Sequence, residues 1–278
     1  MDIRKTIKVI SPYFGEWPWY FKYFLHSCSF NPGVEFLVVS DIPFEDDLPP
    51  NVKLLELSLH NFKELASEKL GFEVVINDPY KLCDFKPAYG HIFEDYLLGY
   101  DYWGHGDIDI IFGNLANFIS EPVNNNYDVI YLRHDFITGY FTLFKNTGKI
   151  NALYRQSKDY EKIFMNARHF CFDETNFSFT SFADGIHYSK ISSEIESMMH
   201  VIKRLQENQV IQAYFDFHVI EGTPGRLTWI NGSLFYKNKF EVALYHMIKF
   251  KYNTNIQKHK HVLGNNFKIT PTRIIQIN

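Results

Sequence analysis

Cysteine is scarce and unpatterned: Cys28, Cys83 and Cys171 are odd in number, far apart and without a C-x-x-C pair. That excludes a disulfide framework or a structural zinc site of ordinary spacing, and it predicts a reducing compartment. No apolar run approaches the ~20 residues that a membrane-crossing helix needs. The opening Met1-Asp2-Ile3-Arg4-Lys5 lacks a long apolar stretch, so no signal peptide is expected and the predicted location is cytoplasmic. Net charge is only −4, from 28 basic and 32 acidic residues, which gives no reason to expect a nucleic-acid partner. No G-x-x-x-x-G-K-S/T and no helix-opening G-x-G-x-x-G occurs, which removes P-loop and dinucleotide readings.

Aromatics, by contrast, are abundant. They make up 18% of 278 residues, with 27 Phe and 18 Tyr, more than a core of this size needs, so some are expected to line a cleft. The length suits one large α/β domain, or one with an appendage. Thr6–Ser11 reads as a buried strand stopped by Pro12. Phe21, Phe24, Leu25 and Cys28 follow at helical spacing, and Val34–Ser40 is a second strand. This strand–helix–strand order is a βαβ unit, with a right-handed crossover. Val52–Leu57 is a third strand, and Asn61 is placed to cap a helix over Phe62–Leu70. Lys81–Gly99 is predicted helical with a start or kink at Pro87. Strands are expected at 128–132 and 140–144, and helices at 150–164 and 192–212. Leu227–Ile230 and Ser233–Tyr236 form a hairpin over Asn231-Gly232. From Lys237 to Asn278 there are eight Lys/Arg and one acidic residue, Glu241, so a main unit over 1–236 and a basic segment over 237–278 are expected.

The chemistry concentrates in Trp103-Gly104-His105-Gly106-Asp107-Ile108-Asp109-Ile110. On an extended segment a spacing of two points Asp107 and Asp109 to one side. Their oxygens can then converge on a hard divalent cation such as Mn²⁺ or Mg²⁺. The alternative is a loop with two solvated aspartates. In open α/β sheets ligands bind beyond the carboxyl ends of strands, where Pro12-Tyr13, Asp41 and the aspartate pair all fall. Asp84 can accept from a ribose or base and Lys86 can neutralise a phosphate, or Asp84 simply caps a helix start. In the basic segment His246 is a candidate third metal ligand and Lys249 a candidate diphosphate contact. Asp173 and Glu174 are candidates for a general base, or a solvated acidic loop.

The blocks Pro12-Tyr13-Phe14-Gly15, Tyr80-Lys81-Leu82-Cys83-Asp84-Phe85-Lys86-Pro87-Ala88-Tyr89-Gly90 and Trp103-Gly104-His105-Gly106-Asp107-Ile108-Asp109 resemble an uncharacterised bacterial family of glycosyltransferase-like proteins from polysaccharide biosynthesis loci. The pattern is similar to the GT-A fold, distantly like glycogenin-type enzymes. The resemblance implies a Rossmann-type mixed sheet flanked by helices. It also implies that Asp107 and Asp109 hold a metal and a nucleotide-sugar diphosphate, that Asp84 and Lys86 contact the sugar nucleotide, and that His246 and Lys249 serve metal and diphosphate. Where those relatives carry Gly-Gly-x-Tyr before D-x-D, this chain has Trp103-Gly104-His105-Gly106, and it lacks their late Pro-Trp.

The expected activity is metal-dependent transfer of a sugar from a nucleotide diphosphate sugar, UDP-sugar favoured, to a hydroxyl of a glycan or lipid-linked acceptor. A nucleotidyltransferase using the same aspartates and a non-catalytic carbohydrate-binding protein are the competing readings. Lys249, Lys251, Lys258 and Lys260 are candidates for peripheral contact with an anionic membrane, or a solvated basic face.

Overall fold

Alternating apolar residues along the strands sort onto two faces of one large sheet. The computed structural model describes residues 3–222, 225–255, 258 and 264–277; Lys260 and the first two residues lie outside them. In chain order the strands are β1 (Ile7–Pro12), β2 (Glu35–Ser40), β3 (Val52–Glu56), β4 (Tyr102–Gly106), β5 (Ile110–Phe112), β6 (Val129–Tyr131), β7 (Phe141–Lys145) and β8 (Ala213–Phe215). They continue with β9 (Val219–Glu221), β10 (Leu227–Ile230), β11 (Ser233–Tyr236), β12 (Phe240–Val242), β13 (Leu244–His246), β14 (Asn266–Ile269) and β15 (Ile274–Gln276).

The main sheet runs β3-β2-β1-β4-β7-β6-β8. β3, β2, β1 and β4 run parallel to one another, β7 is antiparallel to both β4 and β6, and β8 is parallel to β6. On β2, Phe36 and Val38 pack to one side while Leu37 and Val39 pack to the other. Tyr102 and Trp103 divide in the same way on β4. Helix Phe21–Ser29 covers the first face through Phe21, Phe24, Leu25 and Cys28. Helices Leu59–Leu70 and Met198–Glu207 cover the second. The molecule is thus a mixed α/β protein whose large mixed sheet is flanked by helices. Trp103 is fully buried and stacks on Phe144 at 4.4 Å. Truncating such a ring to Ala ordinarily costs about 3–5 kcal/mol.

The hairpin forms where expected, with Ile230 paired to Ser233, and Asn231 and Gly232 both at positive φ, 45° and 93°. Both central residues of that turn need φ > 0, which Asn-Gly tolerates best. Other expectations are corrected. The helix expected from Phe62 begins at Leu59, because Ser58 rather than Asn61 is the cap; Ser58 accepts the Asn61 backbone N–H. Lys81–Gly99 is not one helix but a 3₁₀ segment Pro79–Ala88, a short α-turn Tyr89–Ile92 and a second 3₁₀ turn Glu94–Leu97. Three residues per turn eclipses side chains at i and i+3, and this brings Lys81 onto Asp84 at 2.8 Å with both side chains fully buried. The predicted helix 150–164 likewise divides into three short pieces, and 192–212 shortens to Met198–Glu207.

Of the strands beyond residue 237, β12, β13 and β14 pair with earlier parts of the chain. β12 and β14 extend the sheet β12-β11-β10-β14-β15, while β13 is the middle strand of a third sheet, β5-β13-β9. Among the described residues no helix is long and apolar enough to cross a membrane.

Candidate metal centre and cleft

The site lies where the strand order reverses. β1 is flanked by β2 on one side and β4 on the other, and a crevice opens beyond the carboxyl ends of β1 and β4. Pro12 ends β1 and Tyr13 follows it; Gly106 ends β4 and Asp107 follows. Asp107-Ile108-Asp109 follows the carboxyl end of β4, where the sequence placed a polar loop, on a bend that carries the chain from the main sheet into β5. The Asp107 N–H donates to the Tyr140 carbonyl at 2.9 Å, which anchors that bend to the start of β7.

Register supplies the imidazole. β13 pairs antiparallel to β5 with His246 opposite Ile110, and parallel to β9 with His246 opposite Glu221. His246 therefore stands beside Asp109, and the Met247 N–H donates to the Asp109 carbonyl at 2.9 Å. One ligand atom each from Asp107, Asp109 and His246 lies within 4.8 Å of the others, a group able to hold a metal ion. His246 Nε2 is 3.3 Å from Asp109 Oδ2, and Nδ1 is 3.2 Å from Glu221 Oε1. A carboxylate behind a ligand imidazole orients the ring and raises its basicity. Glu221 in turn takes Arg133 Nη1 at 3.0 Å, and Arg133 grips Asp135 through Nε and Nη2 at 2.6 and 2.7 Å.

Two lysines neutralise the aspartates. Lys86 Nζ is 2.7 Å from Asp107 Oδ1 and donates to the Gly139 carbonyl at 2.9 Å. Lys251 Nζ is 2.7 Å from Asp109 Oδ2. Burial pushes the Asp109 carboxyl up, but His246 and Lys251 outweigh it and hold it well below the usual range. Burial pulls His246 down, yet its bonds to Asp109 and Glu221 raise it to about 9.

The other candidates divide. Asp84 is fully buried and lines no part of the cleft: it accepts the backbone N–H of Phe170 (2.9 Å) and of Phe172 (2.9 Å) as well as Lys81. It thus fastens the 3₁₀ segment to the loop that carries Asp173 and Glu174, and it is not a helix-start cap. Asp41, beyond β2 and one strand removed from the crevice, is exposed and lines no part of it. Lys249 is also exposed and outside the lining; Lys251, two residues on, lines the cleft instead. Asp173 is buried and Glu174 half-buried, so the two do not form a solvated loop. Glu174 accepts the Gly139 N–H at 2.6 Å and the Cys171 thiol at 3.4 Å. The ionic neighbour of Asp173 among the described residues is Lys86 at 3.8 Å. Burial raises both carboxyls, Lys86 and the Gly139 N–H notwithstanding. Gly139 is required by this closeness, since a Cβ there would collide with the Asp173 carboxylate. Glu221 and Lys81 are not singled out by the sequence, and Lys251 is singled out only as a membrane-contact candidate. Nothing local marks Glu221, which becomes relevant only through β9–β13 pairing.

The crevice has two compartments. The smaller, about 230 Å³, is walled by Pro12, Tyr13, Phe14, Tyr20, Leu82 and Tyr89. The larger, about 490 Å³, contains Gly139, Tyr140, Asp173, Glu174, Glu221 and His246. Tyr80, Cys83, Lys86, Asp107, Asp109 and Lys251 line both. A separate cavity of about 510 Å³, holding His134, Asp135 and Phe182, shares none of these residues.

Fold and site together define a mixed α/β protein with a candidate metal centre in a cleft at the switch point of its main sheet. The chain belongs to a family of unknown function, DUF6625, whose family profile matches residues 9–278. No curated protein matches the chain.

Proposed function

We propose that this protein is a metal-dependent glycosyltransferase of GT-A type, moving a sugar from a nucleotide diphosphate sugar to a hydroxyl of a glycan. One observation carries the reading: the Asp107–Asp109 pair stands on the wall common to an aromatic compartment and an acidic one, with two lysines at the same place. A nucleotide diphosphate sugar has that sequence of chemistries. Its base and ribose suit Tyr13, Phe14, Tyr20 and Tyr89, its diphosphate suits a cation flanked by Lys86 and Lys251, and its sugar suits the carboxylates beyond.

The donor set fits the cofactor. Two carboxylates favour Mg²⁺ or Mn²⁺, and an imidazole in the set inclines it toward Mn²⁺. Asp107, Asp109 and His246 would hold the ion, which when bound supplies positive charge against the diphosphate as it leaves. Lys251 and Lys86, released from the aspartates, add to that charge. Glu221 keeps His246 turned toward Asp109. Asp173, less tied than Glu174, is the group to receive a proton from the acceptor hydroxyl, and its raised affinity for protons matches that task.

Calorimetry of UDP with Mn²⁺ tests the reading. Asp107→Ala should abolish metal-dependent nucleotide binding, and an unchanged affinity would refute it. Incorporation of labelled nucleoside monophosphate rather than sugar would decide for a nucleotidyltransferase.

A further inference from the structure

Exposed aromatic rings gather on the rim of the larger compartment. Tyr80 is 65% exposed, Phe177 60% and Tyr252 75%, and all three line that cavity together with Ile248. Single apolar side chains on a surface are ordinary, but several on one cavity mark a binding site. Tyr80 and Phe177 are both held edge-on to His169, with centroids at 4.6 and 5.7 Å. Phe177 is at φ +62° and Asn176 at +51°, a left-handed conformation that a bulky residue rarely takes. The chain thus holds a large ring in water on a strained backbone.

The interior of the compartment selects among ligands. Asp173, Glu174 and Glu221 are acceptors, while the cations Lys86, Lys251 and His246 are already bound to Asp107, Asp109 and Glu221. An anionic ligand would meet like charge, and a purely apolar one would leave carboxylates without donors. A neutral pyranose offers both a C–H face for aromatic rings and hydroxyl donors for carboxylates.

We infer that Tyr80, Phe177 and Tyr252 form a stacking platform for a neutral pyranose of the acceptor glycan, with Asp173 and Glu221 receiving its hydroxyls. The word acceptor rests on the glycosyltransferase reading; the platform itself does not. Saturation-transfer NMR on the full chain tests it, using glucose, galactose, mannose, N-acetylglucosamine, N-acetylgalactosamine and rhamnose, with glucuronate as the anionic control. At least one neutral pyranose should receive saturation through its ring C–H protons, and glucuronate should not. Phe177→Ala and Tyr252→Ala, on separate segments, should each weaken that sugar about two- to tenfold. UDP–Mn²⁺ affinity should stay at the wild-type value, because neither ring lines the smaller compartment. No signal from any neutral pyranose, or an undiminished signal in the Phe177→Ala/Tyr252→Ala double variant, overturns the platform. Pyranose binding that is lost in these variants while UDP–Mn²⁺ never binds supports the platform and overturns the glycosyltransferase reading alone.

Discussion

Replacing Lys251 with Met should make the protein bind Mn²⁺ more tightly and UDP more weakly. The Lys251 ammonium is 2.7 Å from Asp109 Oδ2, on a carboxylate that is only 4% exposed. A divalent cation that takes Asp109 must displace that ammonium. A hydrogen bond to a charged group is worth about 1.5–3 kcal/mol net. The Lys251 side chain keeps a fifth of its surface in water, so solvent screening brings the figure to about 1–2 kcal/mol. That corresponds to roughly 5- to 30-fold tighter Mn²⁺ binding in the absence of nucleotide. Met preserves most of the side-chain volume and removes the charge, so the cleft wall is retained. Without metal the variant should lose about 1–2 kcal/mol of stability, because Asp109 then has His246 as its remaining cationic partner. At saturating Mn²⁺ the same variant lacks a cation for the diphosphate, and UDP should bind about fivefold or more weakly. Titration calorimetry of Mn²⁺ alone, then of UDP into the Mn²⁺-saturated protein, reads both signs. Lys249→Met, at an exposed position outside the cleft, should change neither. Unchanged or weaker Mn²⁺ binding in Lys251→Met would refute the competition on which this reasoning depends.

Gly139→Ala should destabilise the fold by about 1–3 kcal/mol in urea titration, because the new Cβ drives into the Asp173 carboxylate and crowds the Lys86 ammonium; wild-type stability would show that the 138–140 loop yields freely. Asp173→Asn should shift the pH dependence of stability. Burial holds that carboxyl well above its usual range against the pull of Lys86, so the folded protein keeps the proton more tightly than the unfolded chain. Its contribution is complete below about pH 4 and is lost as pH rises through the folded value. The stability of the variant relative to wild type should therefore rise between pH 4 and 7, by at most about 1.4 kcal/mol per pH unit; a difference that stays constant or falls over that range contradicts this. Ser58→Ala should cost about 1 kcal/mol through loss of the helix cap, while Asn61→Ala should cost much less. Equal losses in thermal unfolding would count against Ser58 as the cap.

The sequence by itself determined those features whose causes are local. A short buried run ended by Pro12 set the first strand, and Asn231-Gly232 set the hairpin, since both act within a few residues. The spacing of Asp107 and Asp109 and their place after a strand were legible, although they converge on a bend rather than along an extended segment. What joins them to the rest of the centre was decided by long-range pairing. His246 reaches Asp109 because β13 inserts between β5 and β9, and the same register brings Glu221 behind its ring. Two lysines separated by one residue look equivalent in a basic stretch; only the helical turn Ile248–Lys251 sends Lys251 inward and leaves Lys249 in water. Asp84 belongs to the same category. It read as a ligand contact, and three-residue spacing in the 3₁₀ segment instead turns it onto Lys81 and the backbone of Phe170 and Phe172, where a buried carboxylate finds the donors it requires. Local periodicity states which residues can share a face, whereas strand register and the demand that every buried charge be paired decide which of them meet.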